Sequence, residues 1–307
     1  MAARLSSPRL CAARRIGAIP NPQHVAPLVT LAANLDRFAQ LLTREQFSLA
    51  EACLLLAQDK YPDVDVSHCL GQLDAMAAAV RGRLAHDAFP EQRIAALNHH
   101  LFEELHFSGN VDAFYDPRNS YLNEVLDRRT GIPITLSIVY LEVGRRVGLR
   151  LQGVSFPGHF LVKLRVRRGQ LVLDPFSGGE PQTAAALRSR LAPLMPPGRA
   201  NEIDLDEVLE PASSRQIVAR VLRNLKAIYL ETENYPGALA VMNRMLLAVP
   251  ESAEELRDRG LVYEKLDCFR AALADLSNYI RRRPDAPDLA DVHARIERLQ
   301  TRCAGLH

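Results

Sequence analysis

In the last third of the chain five residue identities return after 34 positions: Tyr229 and Tyr263, Ala238 and Ala272, Leu239 and Leu273, Ala240 and Ala274, and Pro250 and Pro284. An interval of this length, kept in one register, is the spacing of stacked helix–turn–helix units, each of which buries its apolar face only against its neighbours. The small alanines let paired helices approach, the tyrosine fills the gap between them, and the proline ends each unit. Units over 219–252 and 253–286 follow. Two units are fewer than the three or so that usually stand alone, so the stretch with Leu289, Val292, Ile296 and Leu299 reads as a capping helix over 287–302. The region 213–302 is therefore expected to be all-α.

A chain of 307 residues exceeds the usual single domain. What precedes the repeats is organised around 131–174. Proline suits the first helical position, because its missing N–H has no intrahelical partner there, so Gly131-Ile132-Pro133 reads as a helix start. The run Ile134, Leu136, Ile138, Val139, Leu141, Val143, Val147 is apolar on more than one face, as an enclosed helix requires, and Gly148 ends it. Residues 151–156 and 160–166 read as strands, Arg167-Arg168-Gly169 as a turn, and 170–174 as a third strand stopped by Pro175. His159 and Asp174 stand on these strands. If Arg168-Gly169 forms a two-residue turn, Asp174 falls opposite Lys163, roughly 13 Å from His159 at about 3.3 Å per residue. A longer loop or a bulge brings the two together, whereas an odd shift in pairing puts them on opposite faces.

A buried helix followed by strands carrying His and then Asp is the order of the papain-like and transglutaminase-like cysteine enzymes. The stretch resembles the transglutaminase-like superfamily, matching its layout at Gly131, Gly148, His159, Asp174 and Pro175. The nucleophile is missing: where that layout has the cysteine of Gly-x-Cys, this chain has Pro133. More specifically, Tyr115-Asp116-Pro117-Arg118-Asn119-Ser120, the run from Gly131 to Ser137, Phe156-Pro157-Gly158-His159-Phe160 and Leu173-Asp174-Pro175-Phe176 resemble the bacterial SirB-type branch. In that branch a degenerate core is joined to tetratricopeptide repeats, whose period and Gly260 match here while Lys226 departs from the consensus. The resemblance spans about 40–300 and marks Asn119, Gly131, Pro133, Gly158, His159, Asp174 and Pro175 as family-motif positions. It implies an α+β fold: a transglutaminase-like domain over 36–200, with helices in 36–108 and a core with a small antiparallel sheet in 115–178, followed by the all-α repeats.

Local signals fill in the remainder. Ser48 with Glu51 fits a capping box for a helix carrying Leu49, Cys53 and Leu56; Ser67 can cap a second; Ile94, Leu97, Leu101 and Leu105 mark a third. Residues 1–35 are Arg-rich, lack an acid and lack a secretory apolar core, and read as a disordered or mis-annotated leader. From about 182 to 210, Pro193, Pro196, Pro197 and Gly198 and an acidic run read as a linker, with the domain boundary near 200. The 48% hydrophobic and 24% charged composition is ordinary for a globular protein, and a net charge of +2 selects no partner. No nucleic-acid partner is expected, since basic residues are not gathered among aromatics. No membrane span is expected either, since no apolar run approaches 18 residues. Five scattered cysteines suit a reducing, cytoplasmic compartment and exclude a thiolate zinc cluster. Glu103-x-x-His106 lacks the second copy of a di-iron motif, and His68 replaces the glycine that a calcium loop beginning at Asp63 needs. No cofactor or metal is implied.

A thiol enzyme needs a thiolate at a helix N-terminus, a His to share its proton and an Asp to orient the His. Pro133 removes the first. Thr135 and Ser137 stand within about a turn as substitute nucleophiles, though their side chains project differently. Tyr121, Asn123, Arg128 and Arg129 are candidates to line a cleft beside His159. Two readings follow. In one, the chain is a non-catalytic regulatory or adaptor protein that binds a protein or peptide through the repeat groove. In the other, it is a papain-like amide hydrolase that uses His159 and Asp174 with a non-standard nucleophile. The oligomeric state is not readable.

Overall fold

The computed structural model describes residues 25–166, 169–196 and 199–304, with side chains from residue 33. The expected leader up to residue 24 and the turn residues Arg167 and Arg168 lie outside these. Contacts divide the chain into two compact units, Gln40–Ile228 and a second built on Tyr229–His307 with the described residues before Gln40.

The first unit begins at the end of helix α1 (Val25–Leu42), whose first half falls where a leader was expected. Helix α2 (Leu49–Ala57) is capped as anticipated, Ser48 Oγ accepting the Glu51 N–H. Helix α3 (Val66–Arg81) is capped by Asp65, not Ser67: its Oδ1 accepts the amides of Ser67 and His68 at 2.8 and 3.0 Å. An aspartate just outside the first turn reaches two orphan N–H groups, which a serine already inside the helix does not. The third expected helix is split into α4 (Pro90–Asn98) and a π-helical turn, His99–Glu104.

Strand β1 (Ser108–Gly109) follows, then a 3₁₀ turn (Pro117–Ser120), helix α5 (Leu122–Arg128) and strand β2 (Thr130–Gly131), which pairs in parallel with β1. Helix α6 starts at Pro133 and runs to Arg146, and every residue from Pro133 to Gly144 is buried. Its close approach to the next segment depends on Gly144, where a Cβ would lie 2.2 Å from Leu151 Cδ1. Gly148 follows in the left-handed region, φ +87°.

Strands β3 (Gln152–Val154), β4 (Leu161–Val166), β5 (Gly169–Asp174) and β6 (Glu180–Pro181) form an antiparallel sheet in that order. Its register settles the alternatives left open by the sequence. Val166 pairs with Gly169, Lys163 with Val172, and Val162 with Leu173. The pairing is thus displaced by two residues from the one an Arg168-Gly169 turn would give, and Gly169, at φ +102°, opens β5. This brings Asp174 level with Leu161, about 7 Å along the sheet from His159 at about 3.3 Å per residue, on the same face.

Residues 182–210 are not a linker. Thr183 caps helix α7 (Ala184–Leu191), and a 3₁₀ turn (Arg199–Asn201) leads to helix α8 (Leu205–Val208). Leu187, Leu191, Ala200 and Leu209 are buried against Val154, Leu161 and Val172 of the sheet and Phe156 just beyond β3. The boundary expected near 200 therefore lies inside the first unit, because four apolar side chains among the prolines and acids have a sheet face to cover.

Helix α9 (Ser214–Glu231) leads into the second unit, which continues with α10 (Tyr235–Ala248), α11 (Ala253–Lys265), α12 (Phe269–Arg282) and α13 (Leu289–Ala304). Of the repeated positions, Tyr229, Tyr263, Ala238 and Ala272 are buried while Ala274 is exposed, and Tyr263 packs with Leu276, Tyr279 and with Val292 and Leu299 of α13. A Cβ on Gly260 would lie 2.9 Å from Leu276, so this glycine sets the α11–α12 approach. Pro250 and Pro284 each stand two residues beyond a helix end. The Arg259 guanidinium donates to both oxygens of Asp275 at 2.7 and 2.8 Å and to Asn243 Oδ1 at 2.9 Å, joining α10, α11 and α12.

Candidate functional site

His159 and Asp174 meet. His159 Nε2 lies 2.9 Å from Asp174 Oδ1, and the carboxylate is wholly buried while the imidazole keeps a small opening to solvent. The His sits in the tight turn before β4, where its amide donates to the Phe156 carbonyl and Gly158 takes φ +68°. Arg220 on α9 holds that turn from behind, donating to Ser155 Oγ and to the Phe156 carbonyl at 3.2 and 3.1 Å. Asp174 ends β5, and Pro175 opens a 3₁₀ turn (Pro175–Ser177) whose Phe176 N–H donates to Oδ1 and whose Ser177 hydroxyl donates to Oδ2. The other donor to Oδ2 is Arg190 of α7, at 2.6 Å.

Burial alone pushes the Asp174 carboxyl up, but the His159 hydrogen bond and the His159 and Arg190 charges outweigh it and hold the group below the usual carboxylate range. An ionised carboxylate only accepts, so the His159 Nε2 carries a proton and donates to it. The pair is thus a part-buried imidazole oriented by a buried carboxylate.

The nucleophile side is closed. Pro133 occupies the first position of α6 and is buried. The Thr135 hydroxyl is spent locally: it accepts from the Ile132 amide at 3.1 Å and donates to the Asn119 carbonyl at 2.7 Å. Ser137 is fully buried, and its hydroxyl has no hydrogen-bond partner among the described residues. Cys53 and Cys69 are buried on α2 and α3. Burial, with Glu142 nearby, pushes the Cys53 thiol up to about 12, and burial beside Asp127 raises Cys69. Neither is a thiolate at neutral pH.

Asn119, fully buried, organises the loop in front. Its Nδ2 donates to the carbonyls of Ala113 and Phe114, and its Oδ1 accepts from Asn110 and Arg128. Arg129 donates instead to the Leu105 carbonyl, and Tyr121 is buried edge-on to Tyr61. These contacts shape the support behind the loop. The loop itself exposes Val111, Phe114 and Tyr115. Phe114 meets Phe176 edge-on at 6.4 Å, and Phe176 meets the His159 ring edge-on at 5.9 Å. Leu194 is exposed beside Gly158, 3.2 Å from where a Cβ would stand. His159 is therefore rimmed by apolar side chains.

Sequence reasoning missed this rim and Arg190. The signal for Arg190 was a cappable Thr183 before an alanine-rich run, obscured by the prolines that follow. Phe176 is seated by glycine: a Cβ on Gly109 would fall 2.4 Å from its ring. Gly109→Ala is expected to cost about 1–3 kcal/mol by overpacking, read by urea denaturation.

A buried helix opening at a Gly-x-x corner, a His–Asp pair on an antiparallel sheet and a following helical-repeat unit define the class. The chain belongs to the transglutaminase-like superfamily, whose family model matches residues 67–223, and a tetratricopeptide-repeat model matches 225–297. Within that superfamily its relatives are bacterial. It is 41% identical over 262 residues to a UPF0162 protein of Xylella fastidiosa (strain Temecula1), covering 84% of this chain and 93% of that protein. A UPF0162 protein of Vibrio cholerae is 30% identical over 247 residues, covering 79% and 89%. Protein SirB1 of Salmonella typhimurium is 30% identical over 191 residues, covering 61% and 68%. The SirB-type resemblance of the motifs agrees with these relatives. No helix among the described residues is long and apolar enough to cross a membrane.

Proposed function

We propose that this chain is a non-catalytic regulatory or adaptor protein of the bacterial cytoplasm, a transglutaminase-like pseudo-enzyme coupled to a repeat module that binds a protein partner. The observation that carries this reading is the arrangement around His159. Among the described residues no thiol or hydroxyl hydrogen-bonds to its ring, and the position that the family layout gives to cysteine is a buried proline. What remains is a recognition surface: a part-buried imidazole held by Asp174, with Phe176 edge-on to its ring and Phe114 and Leu194 exposed nearby. Helical-repeat arrays use their concave faces to hold peptides and seldom carry chemistry, which supports a partner on the second unit.

The competing reading, an amide hydrolase, draws on the retained His159–Asp174 pair. One set of measurements separates the two. The purified full-length chain and its His159→Ala variant are assayed on casein and on fluorogenic peptide amides, while partners trapped by cross-linking in a bacterial lysate are mapped by hydrogen exchange. The adaptor reading expects no hydrolysis above the variant's background and protection of amides across α10 to α12 in the trapped complex. Hydrolysis at least tenfold above the His159→Ala background would establish the enzyme.

A further inference from the structure

The sheet face that buries Val154, Leu161 and Val172 beneath α7 continues along the same strands into Gln152, Lys163, Arg165 and Gln170, beside Asp206 of α8. Two adjoining cavities of about 330 and 360 Å³ lie there, sharing Leu164 and Arg165 as a common wall. Arg93 and Arg150 line the first with Arg165, and Lys163 lines the second with Gln152 and Gln170. Four cationic side chains thus line the two cavities, and neither cavity is lined by an aspartate or glutamate.

Two of these cations are also unspent. Among the described residues Arg150 and Arg165 make no hydrogen bond or ion pair, whereas most other arginines of this unit are tied to a carboxylate or a carbonyl. Arg93 is anchored from behind, Nε to the Ala88 carbonyl at 3.0 Å and Nη1 to the Val147 carbonyl at 2.7 Å. Gly148 leaves it room, since a Cβ there would lie 2.8 Å from Nη1. Lys163 reaches only the neutral Gln170 at 3.4 Å, and Gln170 donates in turn to Asp206 at 3.2 Å, the acid beside this face. Like charges gathered without counter-charge repel one another, and a doubly charged anion relieves that repulsion. Planar guanidinium forks match the geometry of phosphate oxygens.

We propose that this furrow is a binding site for a phosphate-bearing small molecule, with the phosphate or diphosphate held by Arg93, Arg150 and Arg165 and the remainder extending past Lys163 between Gln152 and Gln170. The site is independent of His159 and of the reading given above.

The test titrates the full-length chain with pyrophosphate, inorganic phosphate and citrate at matched ionic strength, following heat of binding and melting temperature. Saturable binding of pyrophosphate is expected, weaker for phosphate and citrate, and at least tenfold weaker in an Arg150→Gln/Arg165→Gln double variant. Without ligand that variant should melt no lower than the wild type. If it does not fold, pyrophosphate protection of Arg150 and Arg165 from phenylglyoxal in the wild-type chain, read by mass spectrometry, replaces it. The proposal is overturned if the anions act no differently from sodium chloride, if the double variant keeps its affinity, or if neither arginine is protected. It is equally overturned if a single-stranded RNA oligomer competes pyrophosphate away and binds tighter, which would make the furrow a nucleic-acid contact.

Discussion

Replacing Asp174 by alanine is expected to lower the unfolding free energy by about 3 kcal/mol, from the cost of leaving hydrogen-bonded and charged partners of a buried carboxylate unpaired. Four donors lose their acceptor at once: the His159 ring, the Phe176 amide, the Ser177 hydroxyl and Arg190. Arg190 retains access to water, which keeps the loss below the upper end for buried ion pairs. Asp174→Asn, which preserves shape and one acceptor, should cost about half as much. Chemical denaturation at neutral pH checks both. The pH dependence has a definite sign. The folded-state pKa of Asp174 is depressed, so its contribution is present above the unfolded carboxylate pKa and is lost as pH falls through the folded value. Wild-type stability should therefore decline below about pH 4, and the decline should be shallower in Asp174→Asn. Equal acid limbs in the two proteins would mean that the carboxylate is not held as described.

The second large effect is expected at Glu142, in the middle of a helix read as enclosed by apolar residues. Its carboxylate is nearly inaccessible, yet it accepts from the Ala50 amide at 3.1 Å and from the Ser48 hydroxyl at 3.2 Å, and Arg146 pairs with it at 2.5 Å. It thus closes the N-terminus of α2 with a negative charge, where the helix dipole favours one, and fastens α2 to α6. Burial pushes this carboxyl up, but the Ala50 amide and Arg146 outweigh it and hold it below the usual range. Glu142→Ala is expected to cost about 2–4 kcal/mol, and Glu142→Gln less, because the amide oxygen still accepts from Ala50. Thermal melts of the three proteins at one pH separate them; indistinguishable melting temperatures would show the node to be solvent-compensated.

Both sites show where the sequence was legible. The Pro133 helix start could be read because proline's fixed φ and missing N–H act within one residue. The Ser48 cap could be read because it acts within three. The 34-residue recurrence could be read because each repeated residue meets the same neighbours in its own unit. Ser67 was a wrong cap only because Asp65, two residues earlier, reaches the free amides better. Where the sequence misled, the deciding contact was distant. Residues 182–210 look like a linker by composition and become part of the domain only because Leu187 and Leu191 find Val154, Leu161 and Val172. Arg190 then arrives at Asp174 as a consequence of that packing.

The sequence by itself determined the class of fold, the repeat unit, the helix corner with proline in place of a nucleophile, and the identity of the His and Asp that family layout sets beside it. The repeat unit and the helix corner rest on periodicity and local dihedral preference, which need no knowledge of what lies across the core, and the absent nucleophile and the His and Asp rest on the resemblance to the family layout. The tertiary structure alone decided that His159 and Asp174 touch, through a two-residue displacement in the pairing of β4 and β5. It alone decided that Arg190 completes the carboxylate's bonds, that Phe176 meets the imidazole edge-on with Phe114 behind it, and that three arginines and a lysine line two adjoining cavities. Strand register and side-chain pairing are set by which faces become buried together, and that is a property of the assembled core.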